Sequence, residues 1–223
     1  MDPKDSGVSP VVGVMLMLAV TIMIAAIVSA TAGNFSNTEK KAPSAILDVS
    51  IYAHKYYEGA GFYAPAMIIR HISGNVLQTK DLQIVTYYNV PGTSNISRGS
   101  IMGEKSVEVH TATSGTRDYG VLYISGNNTY SDSDHSNWFG NASAVFRPGD
   151  MLVTPAQSCD NNNPTYTYTI DSGQTIHENP AMEELFPNLI FGTNEFSPGG
   201  VVSVKIIHTP SGQIIYDKDV VIS

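Results

Sequence analysis

The sequence predicts an α+β protein: a long hydrophobic N-terminal α-helix followed by an antiparallel, immunoglobulin-like β-sandwich. Three observations carry that expectation. No charged side chain lies between Asp5 and Glu39, and most of that gap, residues 8–32, is apolar. The rest of the chain alternates short apolar runs with Pro/Gly/Asn/Ser clusters, the pattern of strands and turns. The single cysteine, Cys159, has no partner for an internal disulfide, so packing must hold the β-rich part together.

The chain starts with the polar heptapeptide MDPKDSG. A secretory signal would place its cleavage site after the apolar run, and Ala30 and Ala32 in SATAG mimic one. The run is nevertheless longer than the usual ~7–15-residue signal core, and its leader carries little positive charge. At ~1.5 Å rise per residue it makes a helix of roughly 37 Å, enough to cross a bilayer. Ser9 suits the N-cap, and Pro10 suits the first turn, where its missing N–H would have had no intrahelical partner. Pro10, Gly13, Ala19, Ala25 and Ala26 are the expected helix-packing positions, the small ones because they let neighbouring helices approach closely. Gly33 and Asn34 suit a helix end, and Pro43 blocks continuation, which makes residues 34–44 a hinge.

The string SGVSPVVGVMLMLAVTIMIAAIVSA resembles the N-terminal segment of archaeal type IV pilins, whose hallmark is Val-Ser-Pro-Val-Ile/Val-Gly-Val followed by an apolar helix. The resemblance covers about 25 residues without a gap, and the order Ser9, Pro10, Val11, Gly13, Val14 carries it. It implies cleavage by a membrane-embedded prepilin peptidase between Gly7 and Val8, before the apolar helix. Residues 1–7 are then a leader, 8–33 a membrane and filament-core helix, and 45–223 a β-rich extracellular domain. Bacterial pilins carry an early glutamate that helps register subunits; Val12 stands in its place here. The lysines at 4, 40 and 41 give no positive-inside bias, so orientation rests on the resemblance. RHISGNVLQTKDLQIV and FRPGDMLV resemble two later elements of the family more loosely.

Strands are expected at 45–53, 62–72, 81–88, 106–111, 119–125, 143–147, 151–154, 165–170, 201–208 and 213–222, the last two as a hairpin. Ala45, Leu47, Val49 and Ile51 form one face of the first. A short helix is expected at 180–186, begun by Pro180 after an Asn179 cap. The Asn- and Ser-rich stretch 126–141 reads as a long surface loop.

Four Asn-x-Ser/Thr sequons start at Asn34, Asn95, Asn127 and Asn141, all in segments read as loop or hinge. The histidines at 54, 71, 110, 135, 177 and 208 show no metal-ligand spacing, so no metal or cofactor is expected. The oxygen-rich runs at 132–134 and 160–163 lack the EF-hand spacing, glycine and terminal glutamate and read as solvated turns. No nucleophile elbow, phosphate loop or zinc-protease motif occurs, and the chain reads as no enzyme. A net charge of −8 with scattered cations argues against nucleic acid.

The resemblance implies a structural subunit of an archaeal surface filament. It would be a homopolymer joined through the N-terminal helices, stored in the membrane before assembly, and served by a prepilin peptidase and assembly machinery. An adhesive role is the expectation from the tyrosine-rich composition. The alternative is a permanently anchored ectodomain displaying a β-sandwich binding module or serving the envelope.

Overall fold

The computed structural model describes residues 10–34, 41–57, 62–103, 122–125, 135–154, 167–169, 175–177, 180–191 and 193–223. The chain divides into two compact units, Met1–Lys40 and Lys41–Ser223.

The first unit is the helix α1, Pro10–Asn34. It begins at Pro10, whose fixed φ suits a first turn, and it runs through Gly33 and Asn34, the pair expected to end it. Thr21 spares the apolar surface a free hydroxyl by donating to Leu18 O at 2.9 Å.

The second unit is built on the antiparallel pair β1 (Ala45–Tyr57) and β2 (Phe62–Gly74), each longer than the sequence pattern indicates. β2 is the central strand of a six-stranded sheet. Beyond it lie β8 (Met151–Val153) with β6 (Tyr123–Ser125), and β10 (Thr175–His177) with β9 (Thr167–Thr169). Burial of β2 on both faces follows from that central place: Ala66, Met67 and Ile69 are fully enclosed. The β2–β10 pairing is parallel, whereas the other strand pairs described are antiparallel.

A second, four-stranded antiparallel sheet runs β12 (Gln213–Val221), β11 (Val201–His208), β4 (Leu82–Asn89), β5 (Ile96–Met102). Its inner residues alternate as a half-buried sheet requires: Val202, Val204 and Ile206 are buried, with polar Ser203 and Lys205 between them. The inner faces of both sheets share one core, from Leu47, Val49 and Ile51 on β1 to Ile84 on β4 and Val204 on β11. The α+β, sandwich-like class read from the sequence is what the fold shows. The end of the chain joins the sheets: Ser223 donates its N–H to Ile51 O and accepts from Ala53 N, both at 2.9 Å.

A short third pairing, β3 (Leu77–Gln78) with β7 (Val145–Phe146), belongs to a lock between two distant segments. Thr79 donates from both N and Oγ1 to Ala144 O and accepts from Gly140 N. His71 N donates to Asp150 O, Gly149 N donates to His71 O, and the buried His71 ring places Nδ1 3.2 Å from Phe146 O. The RHISGN and FRPGD stretches, far apart in sequence, are therefore direct partners.

The helix α2, Pro180–Leu185, starts where the sequence places it. Its end sits on the inner face of β4 and β5. Thr86 Oγ1 donates to Leu185 O, and Ser97 Oγ donates to Pro187 O at 2.9 Å. Behind it Tyr88, Phe186, Phe191 and Phe196 form an edge-to-face and tilted aromatic cluster with centroids 5.1–6.5 Å apart.

The strand expected at 106–111, the first part of that at 119–125, Cys159, both oxygen-rich runs and most of 126–141 lie outside the described residues. The last part of 126–141 departs from the loop reading, because Trp138 and Phe139 are buried and Phe139 N donates to Leu122 O. Their polar flanks hide two large aromatic core residues from a composition-based reading.

Candidate functional site: the apolar helix

The feature of α1 that calls for a functional explanation is its surface. Thirteen large apolar side chains between Val11 and Val28 are each 46–71% exposed, and they face every direction. Fully burying one such side chain contributes about 1.5–3 kcal/mol, so the exposed set represents tens of kcal/mol. That exceeds the ~5–15 kcal/mol by which a folded domain is typically stable. Water is therefore the wrong solvent for this helix, and 21 of its residues, Pro10–Ala30, are long and apolar enough to cross a membrane.

Of the five expected packing positions, Ala19 and Ala26 lie seven residues apart and share a helix face. Pro10, Gly13 and Ala25 fall on other faces, so the small residues are distributed round the cylinder. A Cβ built on Gly13 would meet no described atom within 4 Å beyond its own helix. Gly7 and Val8, the expected processing pair, lie outside the described residues.

Residues 6–47 match the family model of the archaeal type IV pilin N-terminal domain. Over this segment the chain is similar to archaeal type IV pilins. No curated protein matches the chain. The matched segment spans the heptapeptide's last two residues, all of α1 and the first three of β1, and the larger part of the β-body lies beyond it. It also brackets the Ser-Pro-Val-Val-Gly string whose resemblance is set out above.

The sequons occupy different settings. Asn34 is the last helical residue of α1, and Asn127 lies outside the described residues. Asn95 is exposed in the β4–β5 turn, but the hydroxyl of its Ser97 turns inward to Pro187 O. Asn141 stands in a turn in which its Oδ1 accepts from Ser143 N at 2.9 Å and Ser143 Oγ at 2.7 Å. Two of the histidines have committed rings: His71 on Phe146 O, and His208 with Nδ1 2.8 Å from Ser211 Oγ. Sequence patterning missed the first bond because Phe146 comes from a distant strand, whereas the second is local, closed within the turn that follows β11.

Burial raises the phenols of Tyr88, Tyr123 and Tyr216 above their ordinary 10.0. At Tyr216 the Asp48 carboxylate adds to the effect, and a hydrogen bond with the Val49 backbone opposes it. The unfolded chain releases these protons first, so stability is full below about pH 10 and falls as pH rises through the folded values. His54 is displaced the other way, lowered by burial. Its contribution is present above about pH 6.5 and is lost as pH falls through the folded value. Thermal unfolding should therefore show a melting temperature that declines on both flanks, and a flat alkaline flank would contradict the burial of these phenols.

Proposed function

We propose that this chain is the structural subunit of an archaeal type IV pilus-like surface filament, cut between Gly7 and Val8 and assembled through its N-terminal helices. The observation that carries the reading is the match of residues 6–47 to the pilin N-terminal family model, together with a helix apolar on all sides. A lone anchor needs lipid on every side; a filament core surrounds the helix with copies of itself, and both satisfy the same surface. Gly13 suits the second, since a small residue lets a neighbouring helix approach closely. In this reading residues 8–33 serve first as membrane span and then as filament core, with 34–44 as hinge and 45–223 as the outward body. The partners are further copies of the chain, a prepilin peptidase and the assembly machinery, at the archaeal cell surface. Adhesion is the proposed role of the filament, supported by exposed tyrosines such as Tyr56, which packs 4.9 Å from Tyr63. The sequons at Asn34, Asn95, Asn127 and Asn141 are its proposed glycan sites.

N-terminal sequencing of the chain recovered from cells that carry the peptidase tests the reading. The expected start is Val8, in material released by shearing. Gly7→Leu should leave an uncut membrane-held precursor and no filaments. Normal filaments from that variant would overturn the cleavage assignment, and a chain that keeps Met1 would identify a permanent anchor.

A further inference from the structure

The outer face of the four-stranded sheet gathers much of the apolar surface that the β-body leaves open. Val201 and Val221 pair across β11 and β12 and are 50% and 59% exposed. The same row ends at Ile96 on β5, 66% exposed and opposite Asn89. Three rows further on, Ile214 lies opposite Ile207 at the other end of the face. Between these apolar ends run two rows. In one, Asp217, Lys205, Val85 and Ser100 lie side by side, and its charges satisfy each other through the Lys205–Asp217 ion pair at 3.1 Å. The other has opposite charges at its two edges: Asp219 opposite Ser203, Ser203 opposite Tyr87, and Tyr87 opposite Arg98. Arg98 lies 5.0 Å over the Tyr87 ring and pairs with no carboxylate among the described residues.

We propose that this face is a self-association surface joining two copies of the chain about a two-fold axis that runs along the strands between β11 and β4. Such a rotation lays β5 of the second copy over β12 of the first and keeps every row above itself. Arg98 of each copy then meets Asp219 of the other, and Ile96 of each covers Val221 of the other. The occupant follows from this charge complementarity, since a face with its acid on one edge and its base on the other complements its own rotated copy. The area agrees. Four strands at ~4.8 Å spacing and seven residues at ~3.4 Å rise give about 900 Å² over both copies before side-chain relief is counted. That is close to the ~1,000 Å² a specific interface clears. Subunits along one polar filament are related by a screw, so a two-fold contact joins bodies of different filaments. Its consequence is lateral bundling, which rests on the filament reading above.

The test uses sheared filaments of the full chain. Wild-type filaments are expected in bundles that disperse as salt rises. Arg98→Glu and Asp219→Arg should each give single filaments, with at least a fivefold drop in low-speed pelleting, and the double reversal should restore bundles. Unchanged bundling in Arg98→Glu, or a double variant that stays dispersed, would overturn the proposal. A second measurement is independent of filaments. The full chain in detergent, carrying Cys159→Ser, Ile96→Cys and Val221→Cys, should oxidise to a disulfide-linked dimer; monomer alone would overturn the surface. A dimer without filaments would uphold the surface and count against the filament reading.

Discussion

Gly99→Ala should destabilise the β-body by about 3 kcal/mol or more, the sum of an overpacking cost and a lost buried hydrogen bond. Gly99 has no unusual φ, so alanine fits its backbone, and the expected effect comes from space alone. The added Cβ would lie 2.6 Å from the Leu185 carbonyl carbon, closer still to its oxygen, and 2.8 Å from Thr86 Oγ1. The obstacle is backbone, which has no rotamer to change. Relief requires the end of α2 to lift, and lifting breaks the bonds from Thr86 to Leu185 O and from Ser97 to Pro187 O. Each buried carbonyl left unpaired costs about 1–3 kcal/mol. Urea denaturation of the full chain in detergent checks this through the unfolding midpoint. A wild-type midpoint would mean that the carbonyl is not seated on Gly99. Thr86→Val removes the donor and keeps the volume, so it should fall between the two.

Gly74→Ala should produce the second large loss. Gly74 has φ +113°, where an L side chain is strained, and its Cβ would sit 2.7 Å from Ala45 Cα and closer to Ser44 O. Strain of this kind costs about 1–3 kcal/mol before the clash is added. The clash falls on the place where the chain enters the body. There Asn75 N donates to Ser44 O at 2.7 Å, and Ser44 N donates to Asn75 Oδ1 at 3.0 Å. The variant should fray the start of β1 before the sheet melts, so hydrogen exchange should quicken first at residues 44–47. Asn75→Ala, which removes one bond without strain, should cost about 1 kcal/mol. Equal exchange in Gly74→Ala and wild type would refute the tie.

What the sequence made legible tracks what its side chains do. β11 occupies the expected residues 201–208, and β12 ends one residue short of its expected limit, because Val202, Val204 and Ile206 on the first and Tyr216 and Val220 on the second point inward at strand spacing. β5 escaped the same reading for a physical reason. Its inward residues Ser97 and Gly99 receive backbone carbonyls from α2 and its tail, while apolar Ile96 points outward. The alternation is therefore inverted, and the strand resembles a polar loop. The lock between His71 and the turn at Phe146–Asp150 was invisible because it consists mainly of backbone bonds between distant segments. For the helix the balance differs. Its span and apolar character were open to inspection, whereas its likeness to archaeal pilins was carried by the order of a few residues around Pro10.

A cylinder that is apolar on every side has no preferred azimuth. With Val12 where bacterial pilins have a glutamate, no charged group within α1 fixes how far the helix is turned about its own axis, and sliding past a neighbour costs little specificity. In a filament of such helices, cohesion and register become separate duties. Greasy, interchangeable surfaces supply the first, and the second falls to parts of the chain with directional bonds and fixed charges. One rigid rod can then serve more than one helical symmetry, with the choice made outside the core.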